Sequence, residues 1–172
     1  MPVDSLLIGV VAVIVLLACS AFFSSSEIAV FSLTPAWIHD RAAGNDTRAR
    51  VLQELHGDPH RLLVTVLVGN NVVNIAIASI VTVLVASVLP PGQTVTVATV
   101  VVSVLVLVFG EIVPKSFGLG NAETWSLTVA RPLRVIELAL LPLVIVFDLL
   151  TRRLGTMVGG RETIEGQYTE EE

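Results

Sequence analysis

Three short polar stretches interrupt an otherwise apolar sequence, and their residue types converge on one chemistry. In the third, Phe109-Gly110-Glu111-Ile112-Val113-Pro114-Lys115, a glycine, a carboxylate, a proline and an ammonium group follow an uncharged run from Val95 to Phe109. An ionisable residue at the mouth of such a run is costly in hydrocarbon unless it pairs, faces water or binds an ion, so Glu111 is the first functional candidate. Pro114 has no amide to give to the carbonyl of Gly110, and Gly110 tolerates unusual backbone angles, so a main-chain oxygen can be freed beside the carboxylate. The first stretch, Ser24-Ser25-Ser26-Glu27, supplies hydroxyls that can bond back to a helix or turn toward a ligand. The second, Gly69-Asn70-Asn71 with Asn74, supplies amide oxygens three and four residues apart, which can meet on one side of a helix, and a glycine that admits a close neighbour. Hydroxyl, amide, carbonyl and carboxylate oxygens, without thiolate or imidazole, suit magnesium, calcium or sodium rather than zinc or copper. A single carboxylate allows release as well as binding, as transport requires.

The elements that must hold these groups are membrane helices. The chain has 172 residues, of which 53% are hydrophobic and 15% charged, with a mean hydropathy of +0.84. That balance does not suit a soluble domain. The formal charge of -5 is concentrated in the tail, since residues 161–172 hold five acids and one arginine. The remainder is close to neutral and offers no basic surface for nucleic acid, while the tail reads as a solvated end. Cys19 is the only cysteine, which rules out an intrachain disulfide or a cysteine-based zinc cluster.

In order, Leu6 to Phe23 is apolar except for Ser20 and long enough to cross a bilayer, and it is expected to be retained and to unwind at the serines. Thr34-Pro35 reads as an N-cap and first turn, and residues 36–55 as two short amphipathic helices at the membrane surface, joined by Gly44-Asn45-Asp46. His39, His56 and His60 match no metal-binding spacing and read as surface histidines. Asp58-Pro59 begins a second crossing, Leu62 to Leu89; Pro90-Pro91-Gly92-Gln93 is a tight turn, and a third crossing runs from Thr94 to Gly110. Ser116 to Asn121 reads as a connection and Ala122 to Ala130 as a short helix, with Trp125 suited to an interface. Leu133 to Leu150 is expected to lie along the membrane as a belt helix bent by Pro142 and carrying Glu137 and Asp148. The arginines before the second crossing, the basic residues after the third and Arg152, Arg153 and Arg161 place the amino terminus outside and the carboxyl terminus in the cytoplasm. The expected fold is an all-α membrane protein: three transmembrane helices with broken inner ends, short cytosolic-side helices and a juxtamembrane belt helix. In that topology the three polar stretches lie at similar depth.

These motifs together resemble the transmembrane domain of the CorC and cyclin M (CNNM) magnesium transporters. The resemblance rests on Ser24-Ser25-Ser26-Glu27, on Gly69-Asn70-Asn71 with Asn74, and on Gly110-Glu111-Ile112-Val113-Pro114-Lys115, and it covers nearly the whole chain. It implies a homodimer in the cell (inner) membrane, with an inward-open acidic cavity that binds Mg2+ stripped of part of its water. It further implies a transmembrane domain over residues 1–155 and an acidic linker over 156–172 leading to a cytosolic CBS pair that binds ATP and would follow Glu172. Glu111 would be the charged ligand and Gly110 or Gly69 a main-chain one, with Ser24, Ser25 or Ser26 and Asn70 or Asn71 completing the shell. Asn74, Pro114 and Lys115 would support, Pro114 by holding the helix break and Lys115 by neutralising a carboxylate or meeting lipid head groups. The favoured function is magnesium transport by efflux, with inward Na+ as the candidate coupling ion.

Two other readings compete. A dimeric anchor or magnesium sensor would use the same polar residues to glue helices. An intramembrane hydrolase would need a serine such as Ser25 beside Lys115, and no nucleophile motif supports it, so the chain is expected not to be an enzyme.

Overall fold

The computed structural model describes residues 3–157, which fold as helices α1 (Val3–Phe31), α2 (Pro35–Ala42), α3 (Thr47–His56), α4 (Pro59–Ala86), α5 (Pro91–Leu105), α6 (Val113–Gly120) and α7 (Ala122–Met157), with a π-helical segment, Val106–Ile112, joining α5 to α6. Three continuous spans, Asp4–Phe31, Pro59–Ala86 and Pro91–Gly120, are long and apolar enough to cross a membrane. At a rise of about 1.5 Å per residue each exceeds the roughly 30 Å of hydrocarbon and extends past it or tilts. Many of their large apolar side chains point away from the protein, among them Ile8, Ile75 and Val95. In a solvent of lipid that exposure costs little, and small and polar groups such as Ser20, Ser24 and Gly110 are among those buried between the helices.

α1 is the axis of the bundle. Gly9 packs against Leu84 and Gly69 against Phe23, so α4 runs antiparallel to α1. Gly110 meets Ser20, Gly118 meets the carbonyl of Ser25, and Lys115 meets Glu27, so the third span runs parallel to α1. Near the α4–α5 turn the core is Val13, Ile77 and Val81. Toward the end of α1, a second core joins Phe23 and Val30 to Ile38, Leu52 and Leu55 of the short helices and to Leu133 of α7.

The short helices follow the local signals. Thr34 accepts the amide of Trp37 ahead of Pro35. Asp46 accepts both the backbone amide and the guanidinium of Arg48, and Asp58 accepts the amide of Arg61 ahead of Pro59. A side-chain oxygen thus meets an otherwise orphaned first-turn amide in all three.

Four expectations need correction. α1 continues without a break through Ser24, Ser25 and Ser26, because Ser25 Oγ donates back to the carbonyl of Ala21 at 2.7 Å and leaves the helical ladder intact. α4 is likewise unbroken at Gly69 to Asn74. Residues 116–120 are not a connection but helix, and Asn121 alone separates α6 from α7. The expected short helix and belt helix are one element, α7, which passes through Pro132 and Pro142. Packing of Leu127, Val129, Ala130 and Leu133 against the core holds it together across the first proline. α7 is not among the three spans apolar enough to cross. The side chains of Asp148, Arg152 and Arg153, Arg161 and the linker beyond residue 157 lie outside the described residues.

Candidate functional site

The spacing of polar residues on α1 determines what meets what. Ser20, Ser24 and Glu27 recur every three to four residues and form one stripe along the helix. At its upper end the fully buried Ser20 hydroxyl lies 2.9 Å from Asn70 Oδ1 and 2.9 Å from Asn74 Oδ1 of α4. One hydroxyl proton serves one acceptor well, so the second contact is either shared or formed by an amide turned to present its NH2. From the third span Gly110 closes the same layer: a Cβ there would stand 2.8 Å from Ser20 Oγ. Three helices therefore contribute a hydroxyl, two carboxamides and a glycine backbone at one depth.

Glu111 adjoins this layer in the π-helical segment. Its register is marked by the amide of Val113 bonding to the carbonyl of Val108. Pro114 cannot donate to Gly110 in an α register or to Phe109 in the wider one, so a backbone oxygen is spared on this turn. The expected break thus takes the form of a widened helix. Glu111 is half-buried and makes no hydrogen bond or ion pair among the described residues.

One turn below Ser20, the Ser24 hydroxyl is fully buried with no hydrogen-bond partner among the described residues, and so is that of Ser26. An unsatisfied hydroxyl in such a place costs roughly 1–3 kcal/mol unless a ligand or water meets it. Ser25 differs from both. Its Oγ bonds to Ala21 and receives Trp125 Nε1 at 3.0 Å, while its carbonyl faces Gly118, so Ser25 anchors α7 and α6 to α1. Lys115 pairs with Glu27 at 3.4 Å. Ser25 and Lys115 thus have other partners, and no nucleophile and base are assembled from them.

Among the candidates, Asn70, Asn74 and Gly110 are brought together, with Glu111 adjacent. Asn71 is exposed on α4, and the Ser20 hydrogen bonds go to Asn70 and Asn74 instead. Gly69 accommodates a ring: its Cβ would stand 2.5 Å from Phe23 Cζ. Two residues were missed. Ser20 was visible as the one polar residue in the first apolar run, and Glu27 as the acid closing the serine stretch. His39 meets Gln53 across α2 and α3, and no group of three potential histidine, cysteine or carboxylate metal ligands gathers among the described residues.

A second charged centre lies where α4 begins. Glu137 of α7, with its side chain only 4% exposed, receives Arg61 Nε at 2.6 Å and Arg134 Nη1 at 2.7 Å. Its carboxylate oxygens each have a guanidinium. An open depression of ≈ 500 Å³ lies by the α6–α7 turn, lined by Ser32, Leu33, Asn121, Glu123 and neighbours, away from the Ser20 layer.

Residues 11–172 match the cyclin M transmembrane N-terminal domain family. A chloroplastic DUF21 domain-containing protein of Arabidopsis thaliana is 34% identical over 158 residues, 92% of this chain and 24% of that protein. The UPF0053 inner membrane protein YfjD of Escherichia coli is 32% identical over 155 residues, 89% of this chain and 36% of that protein. A UPF0053 protein of Synechocystis is 30% identical over 142 residues, 83% of this chain and 41% of that protein. The chain therefore spans less than half the length of these relatives. Together with three apolar spans, the match identifies a multi-pass membrane protein, and the chain belongs to the cyclin M (CNNM) transmembrane-domain family.

Proposed function

We propose that this domain binds and transports magnesium. The observation that carries the reading is the convergence of Ser20, Asn70, Asn74 and Gly110 beside Glu111, a carboxylate with no protein partner in the described residues. Magnesium takes six oxygens at about 2.0–2.1 Å and gives up its water reluctantly. Neutral oxygens from three helices can replace part of that shell, while one carboxylate supplies charge without trapping the ion. Ser24, buried and unpartnered one turn along the same stripe, is a further donor. The Ser20 hydrogen bonds hold the amides in place when no ion is bound, so the site need not be built from a disordered state.

In this reading the domain works as a homodimer in the inner membrane, with its amino terminus outside and its carboxyl terminus in the cytoplasm. The reading extends to efflux, with inward sodium as the coupling ion, and to regulation by a cytosolic CBS pair. The π-helical segment, already off the α register at Glu111, is the natural point for the helix to flex as the site changes its exposure.

The test is magnesium binding by calorimetry to purified protein, wild type beside Glu111→Gln, with a thermal melt of each, followed by transport in liposomes. Saturable binding that disappears in a variant of unchanged melting temperature supports the reading. Equal binding by both proteins, or by neither, removes it. The Ser20 bonds also favour a second reading, a non-transporting anchor whose polar residues glue α1 to α4. On that reading Glu111→Gln leaves stability and dimerisation unchanged, and no magnesium binds.

A further inference from the structure

Lys115 is the only lysine in the 172 residues, and it occupies a decisive place. Its ammonium lies 3.4 Å from Glu27 Oε2, at the lower end of the stripe that carries Ser20 and Ser24. Four residues before it in the same continuous span, on the last turn of the π-helical segment, is Glu111, about one helical turn from Lys115. One cation on a long flexible stem is thus bound to one carboxylate, with a second about one helical turn away along its own span. Glu27 and Lys115 are both about one-third to one-half exposed, so neither side chain is locked by packing.

We propose that Lys115 is a tethered competitor for the cation site: Glu27 holds its ammonium away while metal occupies Glu111, and the ammonium moves to Glu111 when the metal leaves. The inference rests on Glu111 being the charged ligand of the transported ion. It assigns Lys115 and Glu27 as positioning residues that set how readily the ion is released. A bare carboxylate beside apolar helices is costly, and a resident ammonium removes that cost in the empty site without any proton being taken up. The divalent ion must then displace a charge already present, which weakens binding and speeds release.

A sole lysine makes the exchange directly observable. With lysine labelled with ¹³C at Cε, the protein in lipid nanodiscs gives one lysine resonance. In magnesium-free protein Glu27→Gln is expected to leave it near its wild-type position, Glu111→Gln to move it to that of an ammonium paired with Glu27, and the double variant Glu27→Gln/Glu111→Gln to move it again, to the position of a free side chain. Magnesium added to Glu27→Gln should drive the signal to that same free position. Calorimetry should show Lys115→Met binding magnesium about tenfold more tightly than wild type, as loss of a nearby positive charge requires. Glu27→Gln should bind more weakly, with a smaller penalty once Lys115 is methionine.

If Glu111→Gln does not alter the lysine signal in the Glu27→Gln background, Lys115 does not reach Glu111 and the proposal is wrong even where magnesium binds. Unchanged or weaker binding by Lys115→Met overturns it equally. If neither wild type nor Lys115→Met binds magnesium, the transport reading itself fails and takes the competition with it. Thermal melts of each glutamine and methionine variant separate these results from misfolding.

Discussion

Glu111 and Glu137 are both carboxylates in a hydrophobic protein, and they are treated in opposite ways. Glu137 is buried, and each of its oxygens is matched to a guanidinium from α4 or from its own helix. Burial there requires such matching, since an unpaired charge would cost several kcal/mol, and a saturated carboxylate has little left to offer a ligand. Glu111 has no such partner among the described residues, although a basic residue sits one turn away, and the adjoining Gly110 packs on Ser20, which meets Asn70 and Asn74. The charged centre at Glu137 fastens α7 to the start of α4, whereas the Glu111 carboxylate is left without a protein partner among the described residues, as the proposed ion site requires. Exposure would rank them the other way, so satisfaction of the carboxylate is the more informative property.

The contrast is most directly broken at Glu137. Glu137→Gln should destabilise the domain by about 2–3 kcal/mol, below the usual range for a broken buried pair because Arg61 and Arg134 remain about one-third exposed. Thermal melting in detergent measures this, and a loss equal to that of Glu111→Gln would erase the distinction. Gly118→Ala comes next: a Cβ would collide with the backbone carbonyl of Ser25, so α1 and α6 must part at a cost of about 1–3 kcal/mol. The fluorescence of Trp125, which rests on both Ser25 and Phe117, should shift at the same time.

Within the polar layer the serines can be told apart. Ser20→Ala removes an interhelical hydrogen bond and should cost about 0.6–1.7 kcal/mol. Ser24→Ala removes a hydroxyl with no partner and should leave stability near zero change or slightly raised. Both should weaken magnesium binding; a destabilised Ser24→Ala that binds normally would put Ser24 with Glu137 among the structural groups. The smallest effect is at Asp46. Hydrogen bonds from the Arg48 side chain and then its backbone amide hold this carboxyl below its ordinary pKa. A lowered folded-state value means that the contribution to stability is present above the unfolded pKa and is lost as pH falls through the folded one. Protection of the α3 amides against hydrogen exchange should therefore decline in acid, and Asp46→Asn should flatten the decline.

Much of the fold was legible because local signals and solvent agreed. Three apolar runs of spanning length, Thr34-Pro35, Gly44-Asn45-Asp46 and Asp58-Pro59 each have one stable local solution, and the structure adopts it. Reading failed where a local breaker was outweighed. Three serines and an internal glycine weaken a helix by amounts that a low-dielectric environment readily overrides, since every broken backbone bond there is costly. Gly118 and Gly120 read as a connection, yet Gly118 serves close packing against α1.

Composition and pattern by themselves determined that this is a helical membrane protein, that Glu111, Gly110 and the asparagines of α4 are its chemically unusual groups, and that a lone cysteine cannot form a disulfide within these 172 residues. Only the tertiary structure decided that Ser20 rather than Ser25 meets Asn70 and Asn74, that Ser25 belongs to Trp125, that Lys115 pairs with Glu27, and that Glu137 is sealed between two arginines. The physical reason is that composition and hydropathy report what a residue costs in a given solvent, a property of the residue alone. Which face of α1 meets α4 or the π-helical segment depends on where small residues such as Gly69, Gly110 and Gly118 let the backbones approach, and that is a property of the helices together.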